Sequence, residues 1–179
     1  MNKNKYKVIA AVSIILISMS LFSCSMGKQY KNIGDAIQLK NTEITIEKIE
    51  QYDTMEYVSP TDGYVFIAVK FNYKNITSSA LEYKSLPIIA FMASDKTSYS
   101  VNYDASNVYA LLNGVDYSIM TTSLDAGAVR ADAEVYEVPK NDLTGKEFLI
   151  KIDNTNTYIK VDVSQINTNT NQNNTTTKQ

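Results

Sequence analysis

From residue 33 to residue 163 the chain alternates apolar and polar residues in short runs that turn-forming residues separate. In the clearest run, residues 64–73, every second residue is apolar, and a turn sequence at residues 60–63 precedes it. This alternation predicts a β-strand with one face against a core. A second run, residues 43–49, changes its parity at Ile49, which predicts a bulge or a bend within that strand.

Further strand candidates have the same short length and are bounded by turn residues; they are residues 88–93, 117–122, 129–135, 148–153 and 158–163. The first of them is apolar throughout, which is typical of a strand buried on both faces. A helix is predicted over residues 105–113, with Asp104 as its N-cap and Gly114 after its last turn. About seven short strands in one domain predict an all-β, immunoglobulin-like sandwich of two antiparallel sheets.

The segments that flank this domain have a different composition. Residues 1–23 combine three lysines with an uncharged stretch at residues 8–22, which is shorter than the ~20 residues of a membrane-spanning helix. This arrangement predicts a secretory signal peptide. Residues 164–179 end the chain in a tract of Asn and Thr, and we expect this tail to be disordered because it has little to bury.

The cysteine of the chain, Cys24, directly follows the predicted signal peptide. Residues 21–24, Leu-Phe-Ser-Cys, resemble the lipobox of bacterial lipoproteins, although Phe22 replaces the usual small or aliphatic residue. The resemblance implies cleavage before Cys24, a diacylglyceryl group on its sulfur, and a place on the extracellular face of the cell membrane. A plain secretory signal with an incidental cysteine and an uncleaved anchor are the alternatives. Residues 24–32 are then a lipidated cysteine and a short tether.

Composition limits the chemistry of the predicted domain. The 179-residue chain has no histidine, one cysteine and a formal charge of −2. These numbers exclude a histidine-based nucleophile system, an intramolecular disulfide and a cysteine-rich zinc site, and the acidic balance argues against nucleic-acid binding. Loss of the signal lysines makes the mature chain more acidic, so the lipid rather than surface charge is predicted to hold it at the membrane.

Three segments resemble a family of small secreted immunoglobulin-like domains of unknown function, found in lipoproteins of Gram-positive bacteria. They are Ile-Gly-Asp at 33–35 with Glu-Ile-Thr-Ile at 43–46, the strand at 64–75, and Leu-Asp-Ala-Gly at 124–127 with Val-Tyr-Glu-Val-Pro at 135–139. Similar sandwiches include the mycobacterial secreted immunoprotective antigen. The resemblance implies a sandwich over residues 33–163 and brings no catalytic residue with it.

Acidic residues are the first candidates for chemistry in the domain. Four aspartates fall in predicted loops without the spacing of a calcium loop, so solvated turns are favoured over a metal site; they are Asp95, Asp104, Asp116 and Asp125. Asp132 and Glu134 could form a glycosidase-like pair, but the alternation of their strand places them on its polar face, where charges face solvent. No catalytic residue, metal or cofactor is predicted, and the chain is not expected to be an enzyme.

Tyrosines are the candidates for binding, because their rings supply amphipathic contact area at low entropic cost. Four of them surround the irregular segment between two strands: Tyr99, Tyr103, Tyr109 and Tyr117. The alternative is that each ring covers the edge of the core. The sequence therefore predicts a lipid-anchored, non-catalytic module that binds a protein, a peptide or an envelope polymer at the cell surface. A small-ligand or metal-binding lipoprotein is the alternative, and a hydrolase is less favoured.

Overall fold

A computed structural model describes residues 27–115, 123–153 and 155–169, and these residues form two packed β-sheets. Sheet I has the strand order β1-β8-β7-β5, and sheet II has the order β2-β3-β4-β6 with β9 beside β3. The strands are β1 (Gln29–Lys31), β2 (Ile37–Gln38), β3 (Thr42–Tyr52), β4 (Tyr64–Asn75), β5 (Ile89–Ala93), β6 (Val129–Pro139), β7 (Phe148–Ile152), β8 (Thr157–Val161) and β9 (Ile166–Asn169). The helices are α1 (Tyr103–Leu112) and the single turn α2 (Asp142–Gly145). The predicted all-β sandwich is confirmed.

The long strands β3, β4 and β6 form the centre of sheet II through antiparallel pairs. The parity change predicted at Ile49 is confirmed, because the register of β3 against β4 shifts between Ile46 and Lys48. A bulge at this point lets Ile44, Ile46 and Ile49 all face the core between the sheets.

Two short edge strands change the predicted limits of the domain. Gln29–Lys31 pairs in parallel with β8, and Ile166–Asn169 pairs in parallel with the second half of β3. The predicted tether through residue 32 and the predicted tail from residue 164 are therefore too long, and the sheets are not antiparallel throughout. Ile166 is 7% exposed and packs in the core, whereas all three residues of β1 are exposed and contribute backbone pairing instead.

Aromatic rings fill one end of the core between the two sheets. Phe91 of β5 stacks on Phe148 of β7 with 5.2 Å between ring centroids. Tyr99 and Tyr136 lie 5.8 and 5.6 Å from the Phe91 ring. Offset and tilted ring pairs at these separations add to the free energy gained by burying the rings themselves.

Helix α1 covers the outer face of sheet II and makes a second, smaller core with it. Ala105, Val108 and Tyr109 of the helix pack against Phe66 and Ala68 of β4 and the small residues of β6. The helix begins two residues earlier than predicted, since the side chain of Asn102 accepts the Ala105 N–H at 2.9 Å. The predicted N-cap, Asp104, lies inside the first turn.

The apolar run at residues 88–93 does not become a strand buried on both faces. Strand β5 alternates buried and half-buried residues, and Ile88, which precedes it, is 63% exposed. The strand candidate at 117–122 and residue Asp116 lie outside the described residues. Among the residues that the structure describes, no helix has the length and apolar character needed to cross a lipid bilayer.

Candidate functional site

Strand β6 carries its charged residues on the face opposite to the predicted one. The sequence pattern placed Asp132 and Glu134 towards solvent and the apolar residues between them towards the core. In the structure Ala133 and Val135 lie under helix α1, while Asp132 and Glu134 point between the two sheets. The prediction was wrong because alternation shows which residues share a face but not which face a helix covers.

A polar cluster therefore lies between the sheets, next to the aromatic end of the core. We call it the inter-sheet polar cluster, and its members are Tyr73, Tyr83, Arg130, Asp132, Glu134 and Tyr136. Tyr136 donates its hydroxyl to the carboxylate of Glu134, and Tyr73 donates to the carbonyl of Pro87 at 2.5 Å. The guanidinium carbon of Arg130 lies 5.4 Å from the centre of the Tyr83 ring.

Burial controls the protonation of the two carboxyl groups in this cluster. It raises the pKa of Glu134 to about 7, against the opposing hydrogen bond from Tyr136, and the neighbouring Asp132 raises it further. Burial also raises the pKa of Asp132, although the Ala133 N–H and the charge of Arg130 oppose the change. Arg130 is 8% exposed, and its Nη1 has no hydrogen-bond partner within the described chain. Such groups stay buried at a cost in free energy.

The inter-sheet polar cluster can hold a proton, but none of its six members lines a groove described below. Three surface grooves, of about 590, 450 and 490 Å³, are lined by other residues. No group of three or more His, Cys, Asp or Glu side chains within the described ranges is placed to hold a metal ion. Two carboxyls are fewer than the six to eight oxygens that calcium takes. The cluster is therefore better described as a buried polar contact between the sheets.

The cluster gives the fold a pH dependence that one substitution tests. Because the pKa of Glu134 is raised from 4.5 to about 7, the folded chain binds more protons than the unfolded chain between these pH values. Stability therefore falls as the pH rises through this window. We expect Glu134→Gln, which still accepts the Tyr136 hydroxyl, to raise the free energy of unfolding at pH 8 by roughly 2 kcal/mol.

Urea unfolding of both proteins at pH 4 and pH 8 measures this difference. Glu147→Gln, at an exposed position before β7, is the matched control and should leave the pH dependence of the parent unchanged. Equal pH dependence in the parent and in Glu134→Gln would contradict the assignment of this proton to Glu134.

Of the four tyrosines predicted as a binding surface, the three that the structure describes do not form one exposed surface. Tyr99 packs in the core between the sheets, and its hydroxyl donates to Asp142 at 2.9 Å. Tyr109, a residue of helix α1, is buried between the helix and sheet II. Tyr103 is 72% exposed, and Tyr117 lies outside the described residues. Tyr99 and Tyr109 therefore have structural roles, and the prediction is wrong for both of them.

Tyr109 fastens helix α1 to sheet II through a buried carboxylate. Glu50, on the outer face of β3, accepts the Tyr109 hydroxyl at 2.5 Å, the Lys48 ammonium at 2.8 Å and the Asn169 amide at 3.1 Å. Burial alone would raise the pKa of Glu50, but these donors outweigh it and hold the pKa below its usual value. One carboxylate thus joins the helix, β3 and β9.

Helix α1 presents apolar side chains to solvent on its other side. Tyr103, Leu111 and Leu112 are 72%, 78% and 58% exposed, and the nearby Tyr57 is 81% exposed. Tyr57 and Asp104 both line the groove of about 490 Å³ beside the helix. We call these four apolar side chains the α1 surface. The adjacent leucines at the end of the helix were the sequence signal for it, because a helix with one buried face does not need them there.

The fold and the sequence connect the chain to uncharacterized bacterial proteins. Over 127 residues it is 30% identical to the uncharacterized protein YxkC of Bacillus subtilis, in a match that covers 69% of this chain and 71% of YxkC. The chain belongs to the same family as YxkC. No protein-family model matches it.

Two crystal structures share the sandwich. A conserved hypothetical protein from Bacillus anthracis superposes with a TM-score of 0.61 at 23% identity, over 69% of this chain and 89% of that one. An uncharacterized β-sandwich protein from Clostridium difficile superposes with a TM-score of 0.53 at 19% identity, over 77% of this chain and 97% of that one. These two likenesses show a shared fold. They do not indicate what the proteins do.

Proposed function

We propose that this protein is a lipid-anchored component of the bacterial cell envelope, and that its sandwich is a non-catalytic interaction module. The partner is a protein, a peptide or an envelope polymer that contacts the α1 surface. The observation that carries the proposal is the exposure of Tyr103, Leu111 and Leu112 on a helix whose other side already fills a core. Tyr103 and Leu111 lie on the same side of the helix about two turns apart. Exposed apolar residues that share one side of an element mark interaction surfaces more often than isolated ones do.

The anchor is proposed from the sequence Leu-Phe-Ser-Cys at residues 21–24, which lie outside the described residues. The first strand, β1, begins at Gln29, so the sandwich starts five residues after Cys24. Two acyl chains hold a protein to a bilayer durably, whereas one chain does so only marginally. A diacylglyceryl group on Cys24 therefore suits a domain that works at the membrane surface.

Fractionation of cells tests the anchor. We expect the parent chain to sediment with membranes and to move into the detergent phase, and we expect Cys24→Ala to leave the membrane fraction. Ser25→Ala is the matched control beside it and should behave like the parent. Equal membrane attachment of Cys24→Ala and the parent would contradict the lipid anchor.

Photo-crosslinking on intact cells tests the α1 surface. A photoreactive amino acid at Leu111 should give a crosslinked product, and the same group at the exposed Lys74 of β4 should not. Tyr103→Ser, which removes a neighbouring exposed ring without entering the core, should weaken the product at Leu111. The same products at both positions, or no effect of Tyr103→Ser, would contradict an interaction through helix α1.

A further inference from the structure

We infer that the outer face of sheet I rests on anionic lipid headgroups of the membrane to which the chain is anchored. This face is formed by Lys28, Tyr30, Lys151, Tyr158 and Lys160, and we call it the lysine–tyrosine face. The inference rests on the proposed lipid anchor and adds to it an orientation of the domain. Helix α1 covers the other side of the sandwich, so the α1 surface then points away from the membrane.

Charge is distributed unequally between the two sheets. The four strands of sheet I contain three lysines, Lys31, Lys151 and Lys160, and no Asp or Glu, although the chain as a whole has more acidic than basic residues. The strands of sheet II contain six Asp and Glu residues. Within the described chain, Lys28, Lys151 and Lys160 form no ion pair, whereas Lys48, Lys70 and Lys146 pair with Glu50, Glu47 and Asp95.

The lysine–tyrosine face places its charges on aromatic rings. The ammonium of Lys28 lies 5.1 Å from the centre of the Tyr158 ring, and the ammonium of Lys160 lies 4.9 Å from the centre of the Tyr30 ring. The two rings are 6.0 Å apart. Lysine favours the phosphates of an anionic leaflet, and tyrosine favours the boundary between headgroups and acyl chains. A groove of about 590 Å³ adjoins Lys28, Tyr30 and Lys160.

Two acidic residues share the groove with lysines of this face. Glu147 and Asp162 both line the same groove. The carboxylate of Asp162 accepts the Ser164 N–H at 2.8 Å and the Ser164 hydroxyl at 2.7 Å. These bonds hold Asp162 on the turn after β8, where it lines the same groove as Lys28 and Lys160.

The length of the tether places the same face near the bilayer. Four residues separate Cys24 from Gln29, the first residue of β1, and an extended chain spans at most about 3.5 Å per residue. Lys28 and Tyr30 therefore stay within roughly 20 Å of the lipidated sulfur. The 12-residue strand β4 alone spans roughly 40 Å. Because the reach of the tether is shorter than this, the anchor keeps β1 and its neighbour β8 close to the headgroups.

Three lysines near an anionic surface favour the orientation with this face on the membrane over the opposite orientation by a population ratio on the order of a hundred. This shift is screened by salt, because it depends on charges at the surface. The lipid provides the attachment, and the lysine–tyrosine face provides the orientation. The earlier expectation that surface charge contributes nothing at the membrane followed from the net charge of the whole chain, and net charge does not describe one face.

Site-specific fluorescence quenching on vesicles tests the inference. The lipidated chain is reconstituted in vesicles of phosphatidylcholine with 30% phosphatidylglycerol, or of phosphatidylcholine alone, each with a nitroxide quencher on the headgroups. Ala90→Cys places a dye on the outer face of sheet I beside Lys151, and Leu111→Cys places the same dye on helix α1. With Cys24 lipidated, the introduced thiol is the one that reacts.

We expect the dye at residue 90 to be quenched at least threefold more than the dye at residue 111 in anionic vesicles. The difference should disappear in pure phosphatidylcholine, in 1 M salt, and in the triple variant Lys28→Gln, Lys151→Gln, Lys160→Gln. A triple variant at lysines of the opposite sheet or its loops, Lys40→Gln, Lys74→Gln, Lys140→Gln, is the control and should keep the difference.

Equal quenching at the two positions on vesicles that carry the protein would overturn the orientation while leaving the lipid anchor intact. A chain that does not float with vesicles of either composition would overturn the anchor and the inference with it. Quenching that is insensitive to phosphatidylglycerol and to the lysine substitutions, combined with crosslinking of residue 90 to a protein on cells, would assign this face to a protein partner instead.

Discussion

Replacing Tyr109 by alanine should lower the free energy of unfolding by about 4 kcal/mol, while replacing Tyr103 in the same helix should change it by less than about 0.5 kcal/mol. Tyr109 is 1% exposed and fills the space between helix α1 and sheet II. Its removal leaves a cavity and deprives the buried Glu50 of a hydrogen-bond donor. Tyr103 is 72% exposed, so alanine removes little from the folded state.

Tyr109→Phe separates the two contributions of this residue. It keeps the ring in place and removes the hydroxyl bond to Glu50, so we expect a loss of about 2 kcal/mol. Urea unfolding followed by circular dichroism measures all three variants, because the chain has no tryptophan to report by fluorescence. A loss for Tyr103→Ala as large as that for Tyr109→Ala would show that helix α1 does not cover sheet II in the way described.

The second large effect is expected at the end of the sandwich. A chain that ends at Gln165 should be less stable than a chain that ends at Asn169 by roughly 4 kcal/mol. The four residues between these ends form β9, which pairs in parallel with β3 from Ile49 to Tyr52. Their loss removes Ile166 from the core and the Asn169 amide from Glu50.

The comparison of these two truncations isolates β9, because both chains lack residues 170–179. Ile166→Ala in the chain that ends at Asn169 should lower the free energy of unfolding by about 2–3 kcal/mol. This loss measures how much of the contribution of β9 comes from burying the Ile166 side chain. Thr168→Ala, at an exposed position of the same strand, is the matched control and should cost less than about 0.5 kcal/mol. Equal stability of the two truncated chains would show that the sandwich ends before residue 166.

The sequence predicted the sandwich because its central strands carry strong alternation. The run at residues 64–73 lies within β4, and the parity change at Ile49 marks the bulge in β3. Strands β1 and β9 carry no such signal. One is wholly exposed, and the other buries a single isoleucine at its start, so their positions follow from free edges of the sheets and not from their own composition.

The candidate surfaces were harder to predict, since they depend on which face of a strand or helix is covered. In β6, alternation grouped Asp132 with Glu134 correctly but placed them on the wrong face. The sequence pattern did not indicate which face of β6 helix α1 would cover. For the same reason the sequence did not distinguish the buried tyrosines, Tyr99 and Tyr109, from the exposed Tyr103. The sequence did not predict the lysine–tyrosine face, because its residues lie in or beside β1, β7 and β8, which become neighbours only in the folded sheet.

The segment at residues 97–102 limits how partners can approach this fold. It pairs with the free edge of β5, where the Tyr99 N–H donates to the Phe91 carbonyl at 3.1 Å. It also pairs with β6, where the Asn102 N–H donates to the Val135 carbonyl at 2.8 Å. The strands β1, β2 and β9 that close the opposite edges have four residues or fewer. Few backbone groups along the described chain are then free to accept an added strand, so aggregation and recognition by strand addition are both disfavoured, and partners must be selected by side chains.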